Sequence, residues 1–286
     1  MMSSTRMTST RMTSAGMTSA RMTSVRLRRA LALAALLLSA AVSAQEFAVV
    51  VTPPRFEDRA KAGAVYRNVI EINNTSSETA RYTVQTADWT LDAQGAPVFT
   101  QSLVENSCRP WVGVEAAEIS VKANGKRRYR FEVAVPANAP RGECRFAIMI
   151  EGEPQVLQGN VALPVSGRIG VIVYLAIGDA VPVVDVLETR SVDVQGQTLP
   201  VLRVRNRGDM HARLDGYLGG VDAKGTKIVL IPDGSPLLVG ATRDIPLYPQ
   251  PEDRGAQPPA IVYPLRIKGR LDAGGQRLDI DATLDR

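Results

Sequence analysis

The feature that most constrains this chain is the stretch of residues 161–177, VALPVSGRIGVIVYLAI. Its odd positions are Val161, Leu163, Val165, Gly167, Ile169, Val171, Val173, Leu175 and Ile177, and its even positions include Pro164, Ser166, Arg168, Gly170 and Tyr174. Successive side chains of a strand point to opposite faces, so an extended backbone gathers the odd residues on one side. Strands average about 5–6 residues, and one this long overshoots what a small sandwich covers. Two readings follow. Either residues 169–177 fill a core while Val161, Leu163 and Val165 face a groove in another chain, or a bend at Ser166-Gly167 separates two ordinary strands.

The rest of the chain repeats the same period. Between residues 45 and 178, runs such as residues 65–72, 80–89 and 126–135 alternate apolar and polar residues. Turn signals bound them: Asn73-Asn74 after the first, the segment Asp92-Ala93-Gln94-Gly95 after the second, and Asn124-Gly125, which closes residues 111–121, before the third. Lys126, Arg128 and Arg130 fall on one face of their strand, the solvated one, and Trp89 and Trp111 are expected in the core. Residues 178–182, GDAVP, read as a short hinge, and residues 179–286 as a second β module. The expected fold class is all-β: two immunoglobulin-like β-sandwich domains, 45–178 and 179–286, joined by a short hinge.

Residues 1–44 stand apart. Residues 1–25 are a crude polar repeat that cannot bury a core. From Met22 the pattern is that of a cleaved signal peptide: Arg26, Arg28 and Arg29, then the apolar run ALALAALLL, then Val42-Ser43-Ala44 before Gln45. The run is too short to span a bilayer, so the mature chain is expected to carry no transmembrane segment and to be exported and soluble. The formal net charge of +5 comes from this leader. Its six arginines and absence of acids leave 28 basic against 29 acidic residues in the remainder, which removes the case for a nucleic-acid partner. In an exported chain the two cysteines, Cys108 and Cys144, are expected to form a disulfide.

Residues for catalysis are missing from the pattern. The lone histidine, His211, lies beside a turn and is expected to face solvent. No GxSxG stands in the chain, and two cysteines with one histidine make no zinc pattern. The acidic pairs Glu57-Asp58 and Glu252-Asp253 read as loop residues without a matching partner. No enzyme, metal or cofactor is expected.

In order along the chain, several segments resemble the PapD-like periplasmic pilus chaperones of the chaperone–usher pathway. They are VVVTPPRFE, Val69-Ile70-Glu71-Ile72-Asn73-Asn74, the spacing of residues 119–136, and the long strand up to Tyr174. In the second half LRVRNRGDMHARL, with Asn206 closing a strand before a turn, and residues 236–246 are similar to the archaic (alternate) branch, of which this chain would be a divergent relative.

The resemblance implies a periplasmic chaperone that binds and caps pilus or fimbrial subunits by donating a β-strand to their incomplete sandwich. Val161, Leu163 and Val165 would be the donor side chains. A pilin-like subunit and an outer-membrane usher would be the partners. It also implies a basic pair that anchors the subunit's C-terminal carboxylate. Arg55 matches the first member. The lysine expected shortly before Tyr174 is missing, and Arg168 is the nearest substitute. Pro164, which has no N–H, sits within the donor segment. The alternative is a non-catalytic immunoglobulin-like structural or interaction protein of the cell envelope.

Overall fold

The computed structural model describes residues 48–92, 95–104, 107–157, 163–194, 196–251 and 253–286. The readings of the leader and signal peptide, of Val161 and of Glu252 lie outside the described residues.

The N-terminal half is built from strands β1 (Val49–Thr52), β2 (Arg55–Ala60), β3 (Val65–Asn74), β4 (Ala80–Leu91), β5 (Pro97–Thr100), β6 (Val112–Val114), β7 (Glu118–Val121), β8 (Lys126–Ala134) and β9 (Gly142–Gly152). It is completed by β10 (Gln155–Leu157), β11 (Leu163–Val165) and β12 (Arg168–Ile177), and a 3₁₀ turn covers Arg109–Trp111. One sheet has the order β1-β3-β8-β6 and the facing one β2-β12-β9-β4-β5, with β7 on β4. Pro53-Pro54 explains how the first run of chain serves both layers. Two residues without an N–H cannot continue a ladder, so β1 stops antiparallel to β3, and β2 resumes parallel to β12. Glu57 and Asp58 therefore lie on a strand and not in the loop expected of them.

Alternation decides what fills the space between the layers. Val171, Val173, Leu175 and Ile177 of β12 are buried there with Phe146, Ile148 and Ile150 of β9 and Tyr129, Phe131 and Val133 of β8. Each such side chain contributes roughly 1.5–3 kcal/mol by leaving water. Phe131 is central, with ring centroids 5.3 Å from Phe56 and 6.4 Å from Phe146. The opposite residues of β8, Lys126, Arg128 and Arg130, are exposed. Trp111 is only half-buried at the edge of this core. Trp89 is buried elsewhere. With Ala87, Ala147, Met149 and Tyr174 it forms a smaller cluster on the other face of the β12 sheet, where Leu238 of the C-terminal half joins it.

Cys108 and Cys144 are disulfide-bonded. The bond ties the segment before the 3₁₀ turn to the start of β9, and buried Asp88 supports the same segment. Asp88 accepts from the Val104 N–H at 3.1 Å and the Ser107 hydroxyl at 2.7 Å.

The C-terminal half contains β13 (Val184–Val194), β14 (Gln197–Asn206), β15 (Leu214–Val221), β16 (Lys227–Pro232), β17 (Thr242–Pro249), β18 (Leu265–Ala273) and β19 (Gln276–Leu284). They form one seven-stranded sheet in the order β13-β14-β17-β16-β15-β18-β19, where a sandwich would have two separate sheets. The continuity comes from β17: residues 242–246 pair with β14 and residues 247–249 with β16, so one strand passes from layer to layer. The Gln276 amide clasps both the N–H and the C=O of Val184, bringing the first and last strands together around a core of Leu202, Leu218, Leu230, Leu247 and Ile267.

The hinge is held from both sides. Arg59 donates to the carbonyls of Gly178 and Ala180 at 3.1 and 2.8 Å, and the Asp209 carboxylate accepts the Val181 N–H at 2.8 Å. Gly208 has no room for a side chain, because a Cβ there would lie 2.4 Å from both the Val181 carbonyl and the Val183 N–H nitrogen.

Candidate functional site

Two neighbouring features stand out, an open strand edge and the cleft at which that edge ends. Within the 161–177 alternation the described residues form β11 and β12 with a break at Ser166-Gly167, the second of the two sequence readings for the backbone. The two pieces still belong to one hairpin arm. β11 pairs with β10 and β12 with β9, and across the break the Gly152 N–H donates to the Gly167 carbonyl at 3.0 Å. Leu163 and Val165 occupy alternate positions of β11, and Pro164 lies opposite Val156.

The other side of this arm is only partly covered. β2 pairs with β12 from Ile172 to Ile177, beginning with the Ile172 N–H donating to the Pro54 carbonyl at 3.2 Å. No strand among the described residues pairs with residues 163–171 on that side. Nine residues at ~3.3 Å each give this edge a length of about 30 Å. Since the Ile172 N–H points toward β2, the two-residue repeat turns the N–H groups of Gly170 and Arg168 the same way, away from β9 and toward the side on which no described strand pairs. The groups this edge presents are backbone, and they stand on a strand whose other half is locked into the core.

The residue of β2 that meets the end of the edge is Arg55, opposite Ile172. It lines a cleft of about 700 Å³ together with Glu57, Arg59, Glu143, Tyr174, His211 and Arg213. Parallel pairing puts Arg55, Glu57 and Arg59 in register with Ile172, Tyr174 and Ala176, the face of β12 turned away from the sandwich core. Arg168 is elsewhere: it pairs across from Glu151 and stands four residues, roughly 13 Å, up the strand from Ile172. The structure does not bring Arg55 and Arg168 together.

The cleft contains residues that the sequence pattern did not single out for a role. His211 is 6% exposed, against the expectation of a solvent-facing side chain. Its turn is fixed by Asn206, fully buried, whose amide donates to the carbonyls of Met210 at 2.8 Å and Leu237 at 3.2 Å while its oxygen accepts the Gly208 N–H at 2.9 Å. The turn presents His211 to the N-terminal half. Its ring stacks on Tyr174 with centroids 3.9 Å apart, its Nδ1 contacts the Glu143 carboxylate, and its backbone N–H donates to the same carboxylate at 2.9 Å. Arg145 lies 3.6 Å from the other Glu143 oxygen and 5.1 Å over the Trp89 ring.

Burial pushes the Tyr174 hydroxyl up to about 12, with nearby Arg213 pulling down and Glu143 and Glu57 pushing up. Arg141 with Asp209 is a further contact between the halves. Burial alone would raise the Asp209 carboxyl, but the Val181 N–H and the Arg141 guanidinium outweigh it and hold it below the ordinary carboxylate range.

Among the described residues no cluster of three or more His, Cys, Asp or Glu side chains could hold a metal ion. No described helix is long and apolar enough to cross a membrane.

No family model matches the sequence, and no curated protein matches it. Among solved structures, the chain is similar to the CsuC–CsuE chaperone–tip adhesion subunit pre-assembly complex from archaic chaperone–usher Csu pili of Acinetobacter baumannii. That match has 14% identity, spans 83% of this chain and 99% of that one, and has a TM-score of 0.43. The SafB chaperone complex with the SafA pilin of Salmonella enterica matches at 14% identity over 83% of this chain and 97% of that one, TM-score 0.40. The CupB2 chaperone of Pseudomonas aeruginosa matches at 12% identity over 82% and 100%, TM-score 0.40.

Proposed function

We propose that this chain is an exported, non-catalytic chaperone of the PapD-like, chaperone–usher kind, which caps pilus subunits in the periplasm by lending them a strand. The observation that carries the reading is the open edge of residues 163–171, rooted in a buried strand and ending at Arg55. A subunit lacking one strand of its sandwich would complete it on this edge. Main-chain hydrogen bonds give the pairing, and the alternate residues Val161, Leu163 and Val165 enter the groove.

Polarity follows from the fold. β2 pairs parallel to β12 and takes over where the open edge ends, so a subunit strand running parallel to β12 would bring its C-terminal carboxylate to Arg55. A guanidinium suits that end of the strand through its planar pair of donors. The archaic branch is the nearest by the Asn206 turn, and the usher would be the second partner.

The test is co-expression, in a periplasm, of the full chain with a candidate pilin-like subunit. Arg168→Pro removes one outward N–H from the edge without touching the β9 ladder, whereas Arg168→Gln leaves the backbone intact. The expected result is a stable complex with the native chain and with Arg168→Gln, and none with Arg168→Pro. A complex that tolerates the proline, or no complex with the native chain, would favour an envelope structural protein instead.

A further inference from the structure

Two arginines, one from each half of the chain, converge on a single carboxylate in the cleft. Arg55 Nε lies 2.7 Å from Glu57 Oε1, and Arg213 Nε donates to the same oxygen at 3.1 Å. His211 Nε2 is 3.7 Å from Glu57 Oε2. Arg213 is fixed in this position, because its Nη1 donates to the Gly234 carbonyl at 2.6 Å and its guanidinium sits 5.9 Å over the Tyr174 ring. Arg55 is 52% exposed at the mouth of the cleft, at the end of the open strand edge.

Two guanidiniums this close need an anion between them, and Glu57 supplies it from the same face of the same strand as Arg55. We propose that Glu57 is an internal stand-in for the terminal carboxylate of a bound strand, and that Arg213, not Arg168, is the second guanidinium of that seat. In the free protein Glu57 neutralises the pair. A partner strand paired along residues 163–171 brings its own carboxylate to Arg55 and displaces Glu57. This inference rests on the strand-lending reading above. It adds a selectivity that reading lacks: a free small carboxylate gains only what Glu57 already supplies and does not displace it, whereas a carboxylate on a strand also gains the edge hydrogen bonds. Only an anion that arrives in register with the edge takes the seat.

The experiment uses the full chain and a synthetic peptide of alternating valine and threonine as long as the open edge. The peptide has a lysine-rich N-terminal tail for solubility and is made with either a free C-terminal carboxylate or a C-terminal amide. Binding of both forms is measured by calorimetry on the native chain and on Glu57→Gln, Arg213→Gln, Arg213→Lys and Arg168→Gln, each first checked for native melting. The native chain is expected to prefer the acid form. Glu57→Gln should tighten the acid form by about tenfold and leave the amide unchanged. Arg213→Gln should abolish the preference, Arg213→Lys should restore part of it, and Arg168→Gln should keep the preference for the acid form. Loss of the preference in Arg168→Gln but not in Arg213→Gln would overturn the assignment of the second guanidinium. A Glu57→Gln variant that tightens neither form, or both alike, would overturn the stand-in role. Equal binding of acid and amide by the native chain would sink this inference and leave the strand edge standing. Failure of both peptides to bind any form would remove the edge reading and this one together.

Discussion

Replacing His211 by alanine tests how the two halves are held, and the structure allows its cost to be worked out. The substitution removes the ring's contact with the buried Glu143 carboxylate, which is only 2% exposed, and leaves that carboxylate with the His211 backbone N–H and the more distant Arg145. Hydrogen bonds to charged groups are worth about 1.5–3 kcal/mol. The stacked ring on Tyr174 adds roughly 0.5–1.5 kcal/mol. The loss should therefore be about 2–4 kcal/mol. With a urea dependence of about 2 kcal/mol per molar, the unfolding midpoint should fall by ~1–2 M.

Tryptophan fluorescence is the natural readout, because Trp89 packs edge-on against Tyr174 at 5.3 Å and senses the same contact. His211→Phe separates the two contributions: it keeps a ring on Tyr174 but gives Glu143 no partner from the side chain. It should lose the hydrogen-bond share and recover the stacking share. If His211→Ala melted within ~0.3 kcal/mol of the native chain, the claim that this side chain fastens one half to the other would be wrong.

Two further outcomes follow. Removing the disulfide as Cys108→Ser with Cys144→Ser opens a loop with a sequence separation of 36, which the loop-entropy account values at roughly 3–4 kcal/mol. The urea midpoint should drop accordingly, and an unchanged midpoint would show that the Asp88 contacts alone hold that segment. At alkaline pH the folded chain keeps Tyr174 un-ionised, since burial raises it from an ordinary 10.0 to about 12. That contribution to stability is complete below pH 10 and is lost as pH rises through about 12. Tyr174→Phe should thus move the alkaline unfolding limb upward, and an identical limb in tyrosinate absorbance and fluorescence would count against the buried position.

Much of the fold could be read from local chemistry. Period-2 alternation gave the strand character of residues 126–135 and 169–177 and the faces on which Tyr129, Phe131, Val171 and Val173 lie. The Ser166-Gly167 pair offered the break as one of two readings, and the Asn206 turn marked the end of β14. Less was readable where the outcome depends on which strand lies next to which. Residues 55–60 show little apolar alternation, so β2 was missed. It exists because β12 offers a parallel edge just where Pro53-Pro54 ends pairing with β3. The same step puts Glu57 on a strand and Arg55 at the end of the open edge. His211, predicted from its surroundings in sequence to be solvent-facing, is buried by residues 68 and 37 positions away, Glu143 and Tyr174.

The division has one physical cause. Alternating side chains determine by themselves that a segment is extended and which face is apolar, because that preference depends only on neighbouring residues and water. Those rules fixed an all-β chain with an apolar ribbon before the hinge. Which edge of the ribbon is covered, where the cover stops, and which charges from distant strands meet at that point depend on hydrogen-bonded pairing between remote segments. The tertiary structure alone leaves residues 163–171 without a partner strand on that side among the described residues, ends that edge at Arg55, and sets Arg213 beside it.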